Sequence, residues 1–215
     1  MKKRKAAVSV IGGADGPTSV FLIKKNQKLT WQQKLQKLRN KIKRTYVKKT
    51  LSPESHTLDE VMDYIVNIHG FVELSKDEIK EEYCQMRASF LMQYAPELLG
   101  EYAKMPQLKS ESPEDIKAHL AQFQEREKKA QEIPTADFDI EFRKFQLPFE
   151  DRNNHIHIDV ESRFGYIGGG ASGDKKVVKK FRRIYKDVYR YYGVTKEDIE
   201  SESKRYKDVV QTLSM

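Results

Sequence analysis

"DFDIEFRKFQLPFEDRNNHIHIDVE", residues 137–161, contains the two clearest alternating patterns in the chain. In 137–142, and again in 155–161, apolar side chains occupy every second position. This period of two is typical of half-buried β-strands. We therefore expect two antiparallel strands near 137–147 and 154–163.

A phase slip separates the two halves of the first predicted strand. Phe145 and Leu147 continue the apolar series one position late. One extra residue near Arg143 or Lys144 would produce this slip, so we expect a β-bulge there. Residues 148–154 (PFEDRNN) are rich in turn-forming side chains and predict the hairpin loop.

A second strand pair is predicted close to the N-terminus. Residues 6–11 and 18–23 are rich in Val, Ile and Phe, and they flank a Gly/Asp/Pro cluster with turn chemistry. The alternative is a helix with Pro17 in its first turn and Asp15 or Gly16 as its cap. Isolated strand pairs are marginal in water, so we expect both pairs to meet in one sheet.

Five helix starts are predicted where Ser or Thr precedes Glu, Gln or Asp by three residues, the capping-box spacing. They are Thr30/Gln33, Thr57/Glu60, Ser75/Glu78, Ser112/Asp115 and Thr195/Asp198. A further helix is expected from about 174 to 192, and the helix that starts at Thr195 is expected to run to about 213. The chain is thus predicted to be an α+β protein, with a small antiparallel sheet (the N-terminal strand pair plus strands near 137–147 and 154–163) covered by about six helices.

Length and composition limit the class of protein. The 215 residues suit a single domain, 1–215, in which the basic helix and linker at 26–52 can be peripheral. The single cysteine, Cys84, allows no internal disulfide and is expected in the core. No stretch of about 18 apolar residues occurs, so no transmembrane segment is expected. The basic N-terminus lacks a signal-cleavage pattern, and we expect a soluble, cytoplasmic protein.

Charge is distributed unevenly along the chain. Residues 1–49 contain 15 basic side chains against one acid, Asp15, for a net charge of +14, while the remainder has 25 basic against 31 acidic, a net −6. This asymmetry predicts either an anionic partner for the first segment or an electrostatic match between the two parts of the chain. A third interpretation is a surface helix with solvated lysines.

The first group of candidate anion-binding residues lies in a predicted basic amphipathic helix, residues 30–49. Its apolar side chains recur at helical spacing as Trp31, Leu35, Leu38 and Ile42. The candidate cations beside this stripe are Lys34, Lys37, Lys41 and Arg44.

The second group surrounds "GGGASGDKK", residues 168–176, between a predicted strand and a helix. Its candidates are Gly168, Gly169, Gly170, Ser172, Gly173, Lys175, Lys176, Lys179 and Lys180. The segment is not a P-loop, because Asp174 stands where the lysine is required. Flexible backbone amides at a helix N-terminus can still bind an anion. The alternative is a connector whose Ser172 or Asp174 caps the helix.

The helix that follows alternates cations with aromatic side chains. Aromatic rings can stack on exposed bases, and cations can bind phosphates. The aromatics are Phe181, Tyr185, Tyr189, Tyr191 and Tyr192. They also fit an ordinary core stripe, and we favour the core for the aromatics and the surface for the cations.

Four polar side chains share one face of the predicted strand at 155–161. They are His155, His157, Asp159 and Glu161. His-x-His can bind a metal, with a third ligand from Asp139 or Glu141. The interpretation that we favour is a solvated sheet face, because antiparallel sheets commonly expose one side to water. We therefore expect no bound metal and no cofactor.

One short motif carries a resemblance. "IGGADGPTS", residues 11–19, resembles the Gly-Gly-Ala-Asp-Gly-Pro-Thr-Ser/Ala segment in the β subunit of sodium ion-translocating decarboxylases. The resemblance implies a membrane pump that acts with biotin-carrying partners on substrates such as oxaloacetate or glutaconyl-CoA, with Asp15 in sodium coupling. It covers about a dozen residues, and the pump's membrane helices have no counterpart here, so we do not expect pumping.

The chain as a whole is similar to small soluble bacterial proteins of unknown function that begin with this motif. The similarity continues through "QMRASFLMQYAPELLGEY" and "DVYRYYGVT". We expect a non-catalytic binder of an anionic partner. This partner is expected to be nucleic acid, another polyanion or a phosphorylated ligand. The alternatives are an enzyme with a site at the glycine-rich loops and, by the motif alone, a decarboxylase β-subunit-like protein.

Overall fold

A computed structural model describes residues 7–13, 16–23, 30–108, 110 and 112–215, with the backbone alone for the first two ranges. The strands are β1 (Ala7–Gly13), β2 (Gly16–Ile23), β3 (Val72–Glu73), β4 (Phe142–Gln146), β5 (His155–Glu161) and β6 (Tyr166–Ser172). The helices are α1 (Trp31–Thr50), α2 (Leu58–His69), α3 (Lys80–Tyr94), α4 (Pro113–Glu132), α5 (Lys175–Tyr192), α6 (Lys196–Ser201) and α7 (Lys204–Ser214), with a 3-10 segment at Pro96–Ala103. The α+β class is confirmed.

The predicted N-terminal strand pair is present, but its place in the sheet was predicted wrongly. β1 and β2 pair antiparallel with each other, with Val8 opposite Leu22 and Val10 opposite Val20. They form a two-stranded sheet of their own, whereas the larger sheet has the order β3-β4-β5-β6. The strands that join β4 and β5 in this sheet are β3 and β6, and not the N-terminal pair.

The chain divides into two compact units. One contains residues 1–28 and 76–140, and the other contains residues 29–75 and 141–215. The single domain over 1–215 stays a prediction, because two units of this kind can still unfold cooperatively as one domain.

In the first unit, α3, the 3-10 segment and α4 pack together around two buried arginines. Arg126 donates from Nε to the Tyr102 carbonyl at 2.8 Å and from Nη2 to the Met92 carbonyl at 3.2 Å. Guanidinium groups here satisfy main-chain acceptors that would otherwise be buried without donors. Cys84, which we expected in the core, is exposed on α3, so this prediction is wrong.

In the second unit, one face of the four-stranded sheet shares a core with side chains from three helices. Ile156, Ile158 and Val160 on β5 are fully buried, as the alternation predicted. The helices that contribute buried side chains to the same core are α2, α5 and α7. The core therefore lies between the sheet and these helices. One side of the long helix α5 packs against the sheet, and its opposite side faces outward.

Both faces of β4 and β5 are substantially buried, which corrects two predictions. Asp159 and Glu161 are almost fully buried, so their face is not the solvated one that we expected. Phe142 and Phe145 are buried on opposite faces, and the β4–β5 register runs without a bulge. The apolar series changed phase because both faces of this strand need apolar side chains.

Local capping chemistry explains most helix boundaries. Thr30, Thr57 and Thr195 form complete capping boxes, and Ser112 accepts from the Asp115 backbone N–H. The prediction at Ser75 is wrong, since residues 76–79 form a turn and α3 begins at Lys80.

The predicted last helix is in fact two. Glu202 adopts a left-handed conformation (φ 46°) that ends α6, and Ser203 caps α7 by accepting from the Tyr206 backbone N–H. Before them, Gly193 ends α5 at φ 58°. A Cβ atom at Gly193 would lie 1.9 Å from the carbonyl oxygen of Glu54 in the α1–α2 linker.

Candidate anion-binding surface

The candidate surface depends on which side of α5 is buried in the core. The Asp174 carboxylate caps the helix by accepting from the backbone N–H groups of Lys176 (2.7 Å) and Val177 (2.9 Å). Val177, Ile184 and Val188 then bury one side of the helix in the core. The cations that alternate with these residues are forced onto the opposite side.

Five cations form a continuous row on that opposite side, which we call the cationic face of α5. They are Lys175, Lys179, Arg182, Lys186 and Arg190, at positions i, i+4, i+7, i+11 and i+15. The row extends over about 22 Å of helix. All five are exposed except Lys186, which is half-buried. The spacing holds these charges in a line that a phosphate backbone can follow.

The single acid within α5 is already engaged on the flank of this row. Asp187 accepts a hydrogen bond from the Tyr64 hydroxyl at 2.8 Å, and Arg190 Nη1 lies 4.0 Å from its other oxygen. Burial of the phenol, together with the hydrogen bond to the Asp187 carboxylate, raises the pKa of Tyr64 to about 12. Asp187 thus lies within ion-pair distance of one of the five cations of the face, Arg190.

A cation of α1 joins the face at its far end. Lys43 Nζ donates to the Met215 carbonyl at 3.2 Å, and Lys186 Nζ donates to the Leu213 carbonyl at 3.4 Å. Both ammonium groups therefore converge on the last turn of α7, where the helix dipole favours positive charge. Burial lowers the pKa of Lys186, and the nearby charges of Lys43, Arg190 and Arg182 lower it further. These cations repel one another, and an anion bound among them would relieve that repulsion.

The cations predicted on α1 are all exposed. Lys34, Lys37, Lys41 and Arg44 lie on a helix that contains no acidic residue. Lys48, which was not among the candidates, pairs with Glu202 at 3.1 Å, and this contact raises the pKa of Lys48. Lys43 is an α1 cation whose charge lowers the pKa of Lys186 on α5, and it was also outside the predicted set.

The glycine-rich segment differs from its predicted form. Gly168, Gly169, Gly170 and Ser172 belong to β6 and not to a loop before the helix. A Cβ atom at Gly168 would lie 2.2 Å from the Tyr166 hydroxyl oxygen, and one at Gly170 would lie 2.8 Å from the His157 ring. These glycines therefore make room for neighbouring rings.

At the helix N-terminus, the alternative interpretation is the one confirmed. Asp174 is the cap, so its carboxylate occupies the position that the amides would offer to an anion. Gly173 precedes it at φ 134°, against the side chains of Asn154 and Val177. Of the predicted second group, Lys175 and Lys179 lie on the cationic face, and Lys176 and Lys180 lie beside it.

The aromatic side chains of α5 are engaged internally, as the core interpretation predicted. The Tyr191 ring lies between His56 and Tyr64, with centroid distances of 3.8 Å and 4.0 Å. Tyr189 and Tyr192 are buried. A nucleic acid on this surface would therefore contact cations, with no described α5 ring placed for base stacking.

The polar side of β5 contains a second cluster, the polar row His155–His157–Asp159. His155 Nε2 lies 3.1 Å from His157 Nδ1, and His157 Nε2 lies 3.6 Å from Asp159 Oδ2. Lys144 is paired in register with Asp159 and is also buried. Burial lowers the pKa of His155, and the charge of Lys144 lowers it further.

The remaining members of this face have structural partners. Glu161 accepts from the backbone N–H groups of Glu141 (3.0 Å) and Phe164 (2.7 Å), which fixes the turn into β6. Asp139, the other predicted third ligand, accepts from the Tyr83 hydroxyl in the first unit. In the part of the chain that the structure describes, no three His, Cys, Asp or Glu side chains are arranged to hold a metal ion.

Comparisons with known proteins supply no relative: no family model, no curated protein and no solved structure matches this chain. Asp15, the residue that the decarboxylase resemblance implies, lies outside the described residues. That resemblance stays a prediction. Among the described helices, none is both long enough and apolar enough to cross a bilayer.

Proposed function

We propose that this protein is a non-catalytic binder of a phosphate-bearing polyanion, with nucleic acid as the first partner to test. The observation that carries the proposal is the cationic face of α5, extended by Lys43 of α1. Its charges lie in a line and repel one another. Phosphates spaced along a strand would neutralise several of them together and release condensed counterions.

This mode of binding has a specific character. The α5 rings are engaged with other side chains of the protein, so the contacts would be to phosphates and would carry little base information. Affinity should therefore fall steeply with salt and depend weakly on sequence.

The experiment is fluorescence anisotropy with labelled single-stranded RNA and duplex DNA over a salt series. The variant Lys179→Gln/Arg182→Gln removes two exposed charges from the centre of the cationic face. If both contact phosphates, the slope of log K against log salt should become shallower by about 1.5. The matched control is Lys117→Gln/Lys128→Gln on α4, which changes the net charge equally at two other exposed positions. Absence of binding by the unmodified protein at about 50 mM salt would refute the proposal.

A second candidate is an enzyme that uses the polar row. A histidine beside a buried carboxylate is an arrangement used in general acid–base catalysis, and β6 brings its glycines next to these side chains. Turnover of small ester or phosphoester substrates, lost in both His155→Gln and His157→Gln, would support this candidate over simple binding.

A further inference from the structure

The first four turns of α1, Trp31 to Tyr46, present an apolar stripe to solvent. The stripe consists of Trp31, Leu35, Leu38, Ile42 and Tyr46. Their exposed fractions range from 37% to 78%. Five large exposed apolar side chains in one row form a contiguous patch, which soluble surfaces rarely carry without a partner.

The stripe faces away from the core of its own unit. α1 is attached through Val47 and Leu51, which pack against the core, and through the ion pair of Lys48 with Glu202. Successive residues of a helix are about 100° apart, which places Val47 about 140° from the centre of the stripe. The side that holds the helix in place therefore cannot bury the stripe.

The charge around the stripe limits what can cover it. α1 contains eight Lys and Arg and no acid. On the helical projection, Lys34 and Lys41 flank one edge of the stripe and Arg39 flanks the other. A second copy of α1 would bring two such sets of cations together, which disfavours self-pairing. Nucleic acid would satisfy the charges, but its phosphate surface offers no apolar layer for Leu38 and Ile42.

We propose that α1 binds the surface of an anionic phospholipid bilayer. The stripe would enter the boundary between headgroups and acyl chains, to a depth of about 5–10 Å, while the flanking cations contact lipid phosphates. Trp31 and Tyr46, at the two ends of the stripe, have the amphipathic rings that favour this boundary. The proposal goes beyond the polyanion binding above, since it uses the apolar stripe of α1, whose centre lies about 100° around the helix from Lys43.

The chain contains a built-in probe for this proposal. Trp31 is the sole tryptophan and belongs to the stripe. Its fluorescence should shift to the blue, and become protected from a soluble quencher, when the full chain meets vesicles of phosphatidylcholine with about a third phosphatidylglycerol. Pure phosphatidylcholine vesicles should give a much weaker response, and high salt should weaken the anionic response.

Matched variants separate the stripe from general hydrophobicity. Leu38→Gln/Ile42→Gln should weaken partitioning to anionic vesicles at least about tenfold, because two side chains no longer insert. Ile68→Gln/Val72→Gln is the control, since these side chains are also exposed and apolar but lie on α2 and β3. All four substitutions are at exposed positions, so circular dichroism should show intact folding.

The result can be told apart from failure of the polyanion proposal. Lys179→Gln/Arg182→Gln should lose affinity for RNA and keep the vesicle response, and the stripe variant should do the reverse. No blue shift with anionic vesicles would overturn the lipid proposal. It would equally be overturned by a blue shift with RNA alone, or by a dimer that dissociates in Leu38→Gln/Ile42→Gln, which would assign the stripe to a second copy.

Discussion

The guanidinium of Arg87 donates a buried hydrogen bond of 2.8 Å to the main-chain carbonyl of Phe138. Its Nη2 also donates to the carbonyls of Gln131, in the last turn of α4, and Ile133, just after the helix. One side chain on α3 thus holds the segment that leaves α4.

Arg87→Met should destabilise the first unit. It leaves the carbonyls of Phe138 and Ile133 without this donor, and the free energy of unfolding should fall by about 2 kcal/mol or more. Urea denaturation followed by circular dichroism measures it. Arg152→Met, at an exposed position, should stay within about 0.5 kcal/mol of the parent protein. Equal losses in the two variants would contradict this role for Arg87.

Position 169 should accept glycine alone, because any larger side chain would clash with the neighbouring strand. A Cβ atom there would lie 2.6 Å from the main-chain carbonyl oxygen of His157 on the neighbouring strand. Backbone cannot move aside cheaply, so Gly169→Ala should cost about 2 kcal/mol or more. Thermal unfolding measures the loss, with Ser172→Ala at the exposed end of β6 as the control. A parental melting temperature in Gly169→Ala would show that β5 and β6 are less closely paired.

The stability of the second unit should depend on pH through His155. Because burial and Lys144 hold the pKa of this imidazole below its usual value of 6.5, the unfolded chain takes up the proton more readily than the folded one. Stability from the neutral ring is therefore complete above about pH 6.5 and declines as pH falls towards the folded pKa. His155→Gln should flatten this part of the dependence of urea midpoints on pH. An unchanged decline in the variant would assign it to other groups.

Cys84 should react under native conditions. The thiol is the single one in the chain and is exposed on α3. A disulfide reagent added to folded protein should therefore modify one equivalent, and addition of urea should reveal no more. Modification that appears only after unfolding would show that Cys84 is buried in the core, as its sequence context predicted.

The sequence predicted four of the five proposed helix starts correctly because capping is local. The Thr57 hydroxyl accepts from the Glu60 backbone N–H three residues ahead, and such a contact can be read from spacing alone. β6 could not be predicted in the same way. Gly168 and Gly170 are required by the rings of Tyr166 and His157, so a run of glycines typical of a loop is in fact a strand.

The candidate surface was predicted in part for the same reason. Local periodicity placed Lys175 and Lys179 on the predicted helix that follows the glycine-rich segment. It could not bring Lys43 to Lys186, since both depend on the position of α7. Periodicity also grouped Trp31 with Leu38 and Ile42, but it says only that they share a face, not whether anything in the protein covers it.

The close approach of Gly193 to Glu54 has a consequence for how this sequence can diverge. With 1.9 Å between a virtual Cβ and the Glu54 oxygen, every other amino acid at this position would push the α1–α2 linker away from the end of α5. The Val194 backbone N–H donates to the same oxygen at 3.0 Å, so the two segments would separate together. In related sequences we expect Gly193 to be invariant, whereas the individual residues on the solvent side of α1 can change as long as that side keeps its mixture of apolar and basic side chains.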